Sequence, residues 1–101
     1  MIILDIHTSY DGKKVVALCD SSLIGKRIEE EKKQLDCSSK FYQGKEATKE
    51  EILRESDVDV FYVNAVGKES ITFCVQQKWV DEDDVGYVDK VPYANVMVVN
   101  G

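Results

Sequence analysis

The sequence has one histidine, His7, one tryptophan, Trp79, and one proline, Pro92. Its three cysteines, Cys19, Cys37 and Cys74, are widely spaced and form no C-x-x-C pair. That combination supplies neither zinc-ligand spacing nor a disulfide framework, and no metal or other cofactor is expected. Arginine is scarce, with only Arg27 and Arg54, so bidentate readout of phosphates or bases has little to work with. No apolar run approaches the roughly 20 residues that cross a bilayer, and no targeting signal precedes Asp5. A cytoplasmic chain with no membrane association is expected.

What remains is ordinary globular material. The 101 residues are one domain's worth of chain, so residues 1–101 are read as a single domain. The hydrophobic share of 44% is enough to offset chain entropy. Charged residues make up 32%, and the net charge of −6 disfavours a broad phosphate-gripping surface. Direct nucleic-acid binding is therefore disfavoured, and a protein partner or a small polar ligand is easier to support.

Alternation of apolar residues predicts a β-hairpin over residues 2–20. With Asp11-Gly12 as a two-residue type I′ loop, Leu4 would oppose Cys19 and His7 would oppose Val16. Leu4, Ile6, Ala17 and Cys19 would then share one face, with Asp5, His7, Val16 and Leu18 on the other. Asp20 or Ser21 would cap a short helical turn ended by Gly25. The charged stretch that follows reads as a solvated edge, with a strand over 32–37.

Thr48 and Glu51 form a capping box that starts a helix over about 49–56. The apolar run at 58–63 reads as a central strand. A second helix is expected over about 65–79, capped by Asn64, with Ile71, Cys74, Val75 and Trp79 on one stripe. Strands at about 85–90 and 93–99 close the chain. The expected fold class is α+β: a mixed, mainly antiparallel sheet with an N-terminal β-hairpin and two helices on one face.

Candidate chemistry is thin. The hairpin register separates His7 from Cys19, so a Cys–His nucleophile has no support from spacing. Asp81-Glu82-Asp83-Asp84-Val85-Gly86 resembles the opening of a calcium loop, but Val85 and Pro92 stand where ligands are required. Gly67-Lys68 lacks the remainder of a phosphate loop. A weaker anion site survives at the expected helix start, with Asn64, Gly67 and Lys68, because free N–H groups there attract negative charge. Phe41, Tyr42 and Tyr93 lie in or beside loops, where aromatics either anchor a partner or pack on the core edge.

Four strings carry a resemblance. They are Cys19–Lys26 (CDSSLIGK), Phe41–Gly44 (FYQG), Asn64–Gly67 (NAVG) and Val91–Val96 (VPYANV). In that order they resemble a small archaeal family named domain of unknown function 424, over nearly the whole chain. The family pattern carries His where Tyr93 stands and Gln where Asn95 stands. This chain departs there, and the resemblance lends that position no acid–base role. It implies an archaeal cytoplasmic protein, more loosely one set near translation or ribosome maturation, and brings no activity with it.

The expected function is a non-catalytic interaction domain with a protein or ribonucleoprotein partner. The alternative is a small-ligand or anion-binding protein, an enzyme included, with its site at 64–68. Asp20, Lys26, Tyr42, Asn64, Gly67, Lys68 and Tyr93 are the candidate binding residues, on the supposition that the four strings fold into one neighbourhood.

Overall fold

The computed structural model describes residues 1–38 and 42–100; Phe41, one of the loop aromatics, lies outside them. The N-terminal hairpin pairs β1 (Ile2–Thr8) with β2 (Lys14–Asp20). A 3-10 turn at Ser21–Leu23 leads to a second hairpin, β3 (Arg27–Glu30) and β4 (Lys33–Asp36). Then follow β5 (Lys45–Ala47), α1 (Lys49–Glu55), β6 (Val60–Val66) and α2 (Lys68–Gln76). A 3-10 turn at Glu82–Asp84 precedes β7 (Gly86–Val88) and β8 (Val91–Val99).

Six strands form one sheet in the order β5-β1-β2-β6-β8-β7. Only β2 and β6 run parallel, because α1 lies in the crossover between them. The class is α+β, mixed and mainly antiparallel. Leu4, Val16, Leu18, Phe61, Val63, Ala65, Ala94 and Val98 line one sheet face, and Ile52 of α1 with Ile71, Phe73 and Cys74 of α2 covers it. Both helices therefore pack on that face. On the other face the β3–β4 hairpin and Tyr42 cover one end, over Cys19, Cys37, Val66 and Tyr93.

The first hairpin differs from expectation by one residue. Leu4 opposes Leu18 and His7 opposes Val15. A type I′ loop needs positive φ at both central residues, yet here only Gly12 has it, at 84°. Gly12 N–H donates to Ser9 O (2.9 Å) and Ser9 N–H to Lys13 O (2.8 Å), which makes a three-residue loop of Tyr10, Asp11 and Gly12. One added loop residue moves each β2 side chain to the opposite face. Val16 and Leu18 thus join Leu4 and Ile6 against the helices. Ala17 and Cys19 join Asp5 and His7 on the other side.

Two other expectations change. Residues 27–36 form a complete hairpin rather than a charged edge with a strand over 32–37. The second helix begins three residues late and ends three early, because β6 continues to Val66 and α2 closes at Gln76. Its end is a Schellman motif: Lys78 N–H donates to Val75 O and Trp79 N–H to Cys74 O, both at 3.0 Å, with Lys78 at φ 63°. Trp79 lies past the helix and packs edge-on against Phe61 and Phe73, with ring centroids 5.3 and 5.5 Å away. The capping box of α1 forms as expected, with Thr48 and Glu51 exchanging bonds at 3.1 Å.

The loop that sets the register is held by Asp11. Its carboxylate accepts from the Ser9 hydroxyl and, at 2.9 Å, from the Tyr62 phenol. The Ser9 hydroxyl foremost, then the Tyr62 phenol and the Lys13 amide, lower its pKa to about 2. The folded pKa lies below the unfolded value of about 3.9. Its stabilising contribution is therefore complete above about pH 4 and is lost as pH falls towards 2. A carboxyl titration by NMR should place the Asp11 midpoint near 2, and Ser9→Ala should raise it; a wild-type midpoint near 4 would mean that the loop is not built this way.

Candidate functional site

Asp20 is the last residue of β2 and shares the face of Val16 and Leu18, so its side chain points towards the helices. It does not cap its own 3-10 turn. One carboxylate oxygen accepts from Glu69 N–H (3.0 Å). The other accepts from the Ser70 N–H and hydroxyl (both 2.8 Å). These are first-turn donors of α2, which every helix must satisfy from outside. The cap of α2 is thus a residue 50 positions away. Asn64, expected in that role, sits within β6, paired with Ala17 and Asn95.

Gly67 makes this reach possible. Its φ is 109°, and a Cβ there would lie 2.2 Å from Asp20 Cγ. Its N–H donates to Pro92 O at 2.8 Å. One carboxylate of the chain itself occupies the position that an anion at this helix start would take. Lys68 is exposed on the far side, beside Met1 and Phe73.

The four strings do meet. Cys19, Val66 and Tyr93 are neighbours on adjacent strands, and Tyr42, Cys37 and Leu23 pack on them. The Cys19 thiol donates to Asp20 O at 3.5 Å. Burial raises the Cys19 and Cys37 thiols, and it raises the Tyr42 phenol well above the usual range. Cys74, in the other core, is pushed up to about 12 by burial alone. The candidates are therefore divided. Asp20 and Gly67 form a buried junction, Tyr42 and Tyr93 line a recess, and Lys26 lies exposed on the turn before β3.

The recess of about 310 Å³ is lined by Tyr42, Tyr93, Val66, Leu35, Lys33 and Asn95. A trough of about 470 Å³ adjoins it at Asn95 and continues past Asn64, Tyr62, Met97, Val15 and Tyr10. Tyr10 is fully exposed and Met97 is 54% exposed. Sequence reasoning singled out neither, nor Tyr62. The alternation Tyr93, Asn95, Met97, Val99 along one strand face was the signal, but only the sheet order shows that no described residue covers the trough on this face.

His7 and Cys19 share a face, contrary to the expected register, but Cys19 lies four residue steps along the strand from Val15, which is opposite His7. That is about 13 Å at the usual strand rise. His7 Nε2 instead lies 3.3 Å from Asp5. Among the described residues no three His, Cys, Asp or Glu side chains group as metal ligands, and no helix is long and apolar enough to cross a membrane.

Comparison with known families finds a match over residues 7–99 to DUF424, described as a protein of unknown function. The chain belongs to the DUF424 family. It is also similar to an uncharacterized conserved protein from Methanopyrus kandleri, known from a crystal structure. The two are 27% identical, the match covers 97% of this chain and 91% of the other, and the TM-score is 0.78. Comparison with curated proteins finds no match. For this DUF424 chain three of the four strings that carry the family resemblance build the Asp20–Gly67–Pro92 junction, and Tyr42 of the fourth packs beside it over Cys19 and Val66.

Two outcomes follow for the junction. Asp20→Ala strands two N–H groups and a hydroxyl, and should cost roughly 2–3 kcal/mol in urea unfolding. Gly67→Ala should cost at least as much, through both φ and the Asp20 clash; unchanged midpoints for both would mean that the cap does not hold α2. The thiols give the second test. All three should react slowly with a cysteine probe at neutral pH when folded and rapidly in denaturant, whereas a thiol trapped quickly in the folded state would reinstate a nucleophile.

Proposed function

We propose that this protein is a non-catalytic interaction domain whose binding surface is the uncovered half of the sheet. The observation that carries the proposal is the trough in which Tyr10, Tyr62 and Met97 surround the paired amides Asn64 and Asn95. Tyrosines and methionine give contact area at little entropic cost, and the amides supply donors and acceptors. This composition suits recognition, and it lacks a group poised to accept or transfer a proton. The trough itself is lined by no lysine or arginine, which favours a protein surface over a phosphate backbone.

A protein or ribonucleoprotein of the translation or ribosome-maturation machinery is the partner that the family resemblance implies. Ribosomal fractions of the native extract are therefore the place for capture. A photo-crosslinker at Tyr10 should trap one reproducible partner, and Tyr62→Ala with Asn64→Ala should abolish the trap while leaving the fold intact by circular dichroism. Trapping that survives both substitutions, or that never rises above the level from a crosslinker at Lys49, would reject the surface.

A further inference from the structure

The sheet has two long strands whose outer edges are only partly paired. Asn100 N–H donates to Asp59 O and Gly67 N–H to Pro92 O. These bonds fix the alternation between β6 and β8. Even-numbered residues of β8 direct their N–H and C=O groups to β6, and odd-numbered ones direct them outward. β7 pairs with β8 only from Val91 to Tyr93. The outward groups of Asn95, Met97 and Val99 have no partner among the described residues. Val80 and Val85, from the segment leading to β7, enter the helix-face core, and no backbone bond joins that segment to this edge.

The opposite edge is treated differently. On β1 the even residues point outward, since Ser9 pairs with Lys13 across the hairpin. β5 takes Ile2 to Leu4. Beyond it, the N–H of Ile6 is taken at 3.0 Å by the carboxylate of Asp5, and Glu51, Arg54 and Glu55 stand nearby. Charge and a self-supplied acceptor guard that edge, as edge strands require. The β8 edge has neither. Asn95-Val96-Met97-Val98-Val99 carries no charge and no proline, and Met97 and Val99 are 54% and 65% exposed.

We propose that this edge pairs with the same edge of a second copy of the chain. An antiparallel pair centred on Met97 sets Met97 opposite Met97 and Asn95 opposite Val99, and returns the same pairing under a twofold rotation. Every outward N–H and C=O from Asn95 to Val99 then finds a partner. The uncharged segment selects its own like: a charged strand would bring desolvated charge to an edge that has none to pair with it. The two sheets become one, and the two troughs adjoin across the axis. Since each copy carries −6, salt should screen their repulsion and strengthen the association.

Sedimentation equilibrium across a concentration series tests this with the full chain. The expected result is a reversible species of twice 11.4 kDa that is retained or strengthened in added salt. The Met97 and Val99 amides should exchange more slowly with deuterium in concentrated than in dilute protein. Met97→Lys sets two like charges face to face at the axis and should abolish the dimer. Met97→Pro removes an outward N–H without touching a β6 bond and should do the same, with either variant checked for folding by its thermal transition. A chain that is monomeric up to its solubility limit overturns the proposal. So does a dimer dissolved by salt, a dimer kept by folded variants, or one whose Met97 amide exchanges at the same rate at all concentrations. The crosslink at Tyr10 is read independently, because a monomer can still capture a foreign partner there.

Discussion

The carboxylate of Asp20 holds the architecture at its most demanding point. β6 must end, reverse and become α2 within the space of Gly67, which leaves the first amides of the helix facing the sheet with no local cap. A buried N–H without an acceptor costs on the order of 1–3 kcal/mol, and two are at stake, with a hydroxyl beside them. Asp20 supplies both oxygens from the end of the neighbouring parallel strand. The parallel pairing of β2 with β6 brings those strand ends level, with Cys19 beside Val66. Crossover, cap and glycine are therefore one constraint.

That constraint organises the two faces unequally. On the helix face, α1 and α2 cover the sheet and bury Leu18, Phe61 and Val63 completely. On the other face the chain emerging from Asp20 turns at once into the β3–β4 hairpin, which has only enough apolar surface (Ile28, Leu35 and their neighbours) to cover one end. The remaining sheet keeps a mixed lining of tyrosine, asparagine and methionine. Apolar and polar groups alternate there because the strands alternate, and among the described residues none covers them.

Much of the plan was legible from residue types alone. The capping box at Thr48 has a local mechanism, so α1 was readable almost to the residue. The apolar run around 60 was readable as a central strand, although the cover expected on both faces lies over only one along most of its length, since Tyr62 and Asn64 line the trough. What failed depended on one residue or on distant contacts. Asp11-Gly12 is compatible with two loops, and the continuous apolar stretch Val15–Cys19 suits either register, so the pattern held no vote on which face met the core. Asn64 had the right chemistry for a cap and was preempted by Asp20, which no local reading could bring to Ser70. The end of α2 was misjudged because Lys78 takes the left-handed position that glycine usually marks.

The candidate site was legible as a neighbourhood and misread as a surface. Asp20, Gly67, Tyr42 and Tyr93 do converge, with Cys19 and Val66 between them. However, the convergence spends its polar groups internally: the carboxylate on amides, the Gly67 N–H on Pro92, the Cys19 thiol on the Asp20 carbonyl. A group whose partners lie within the fold has little left to offer a ligand. The exposed tyrosines, the paired asparagines and the unpaired edge of β8 lie one strand-length away, in residues whose types are unremarkable one by one. Recognisable strings and available chemistry separate here for a physical reason. A junction that must satisfy several buried donors restricts its residue types severely, whereas an open sheet face restricts them only once something binds to it.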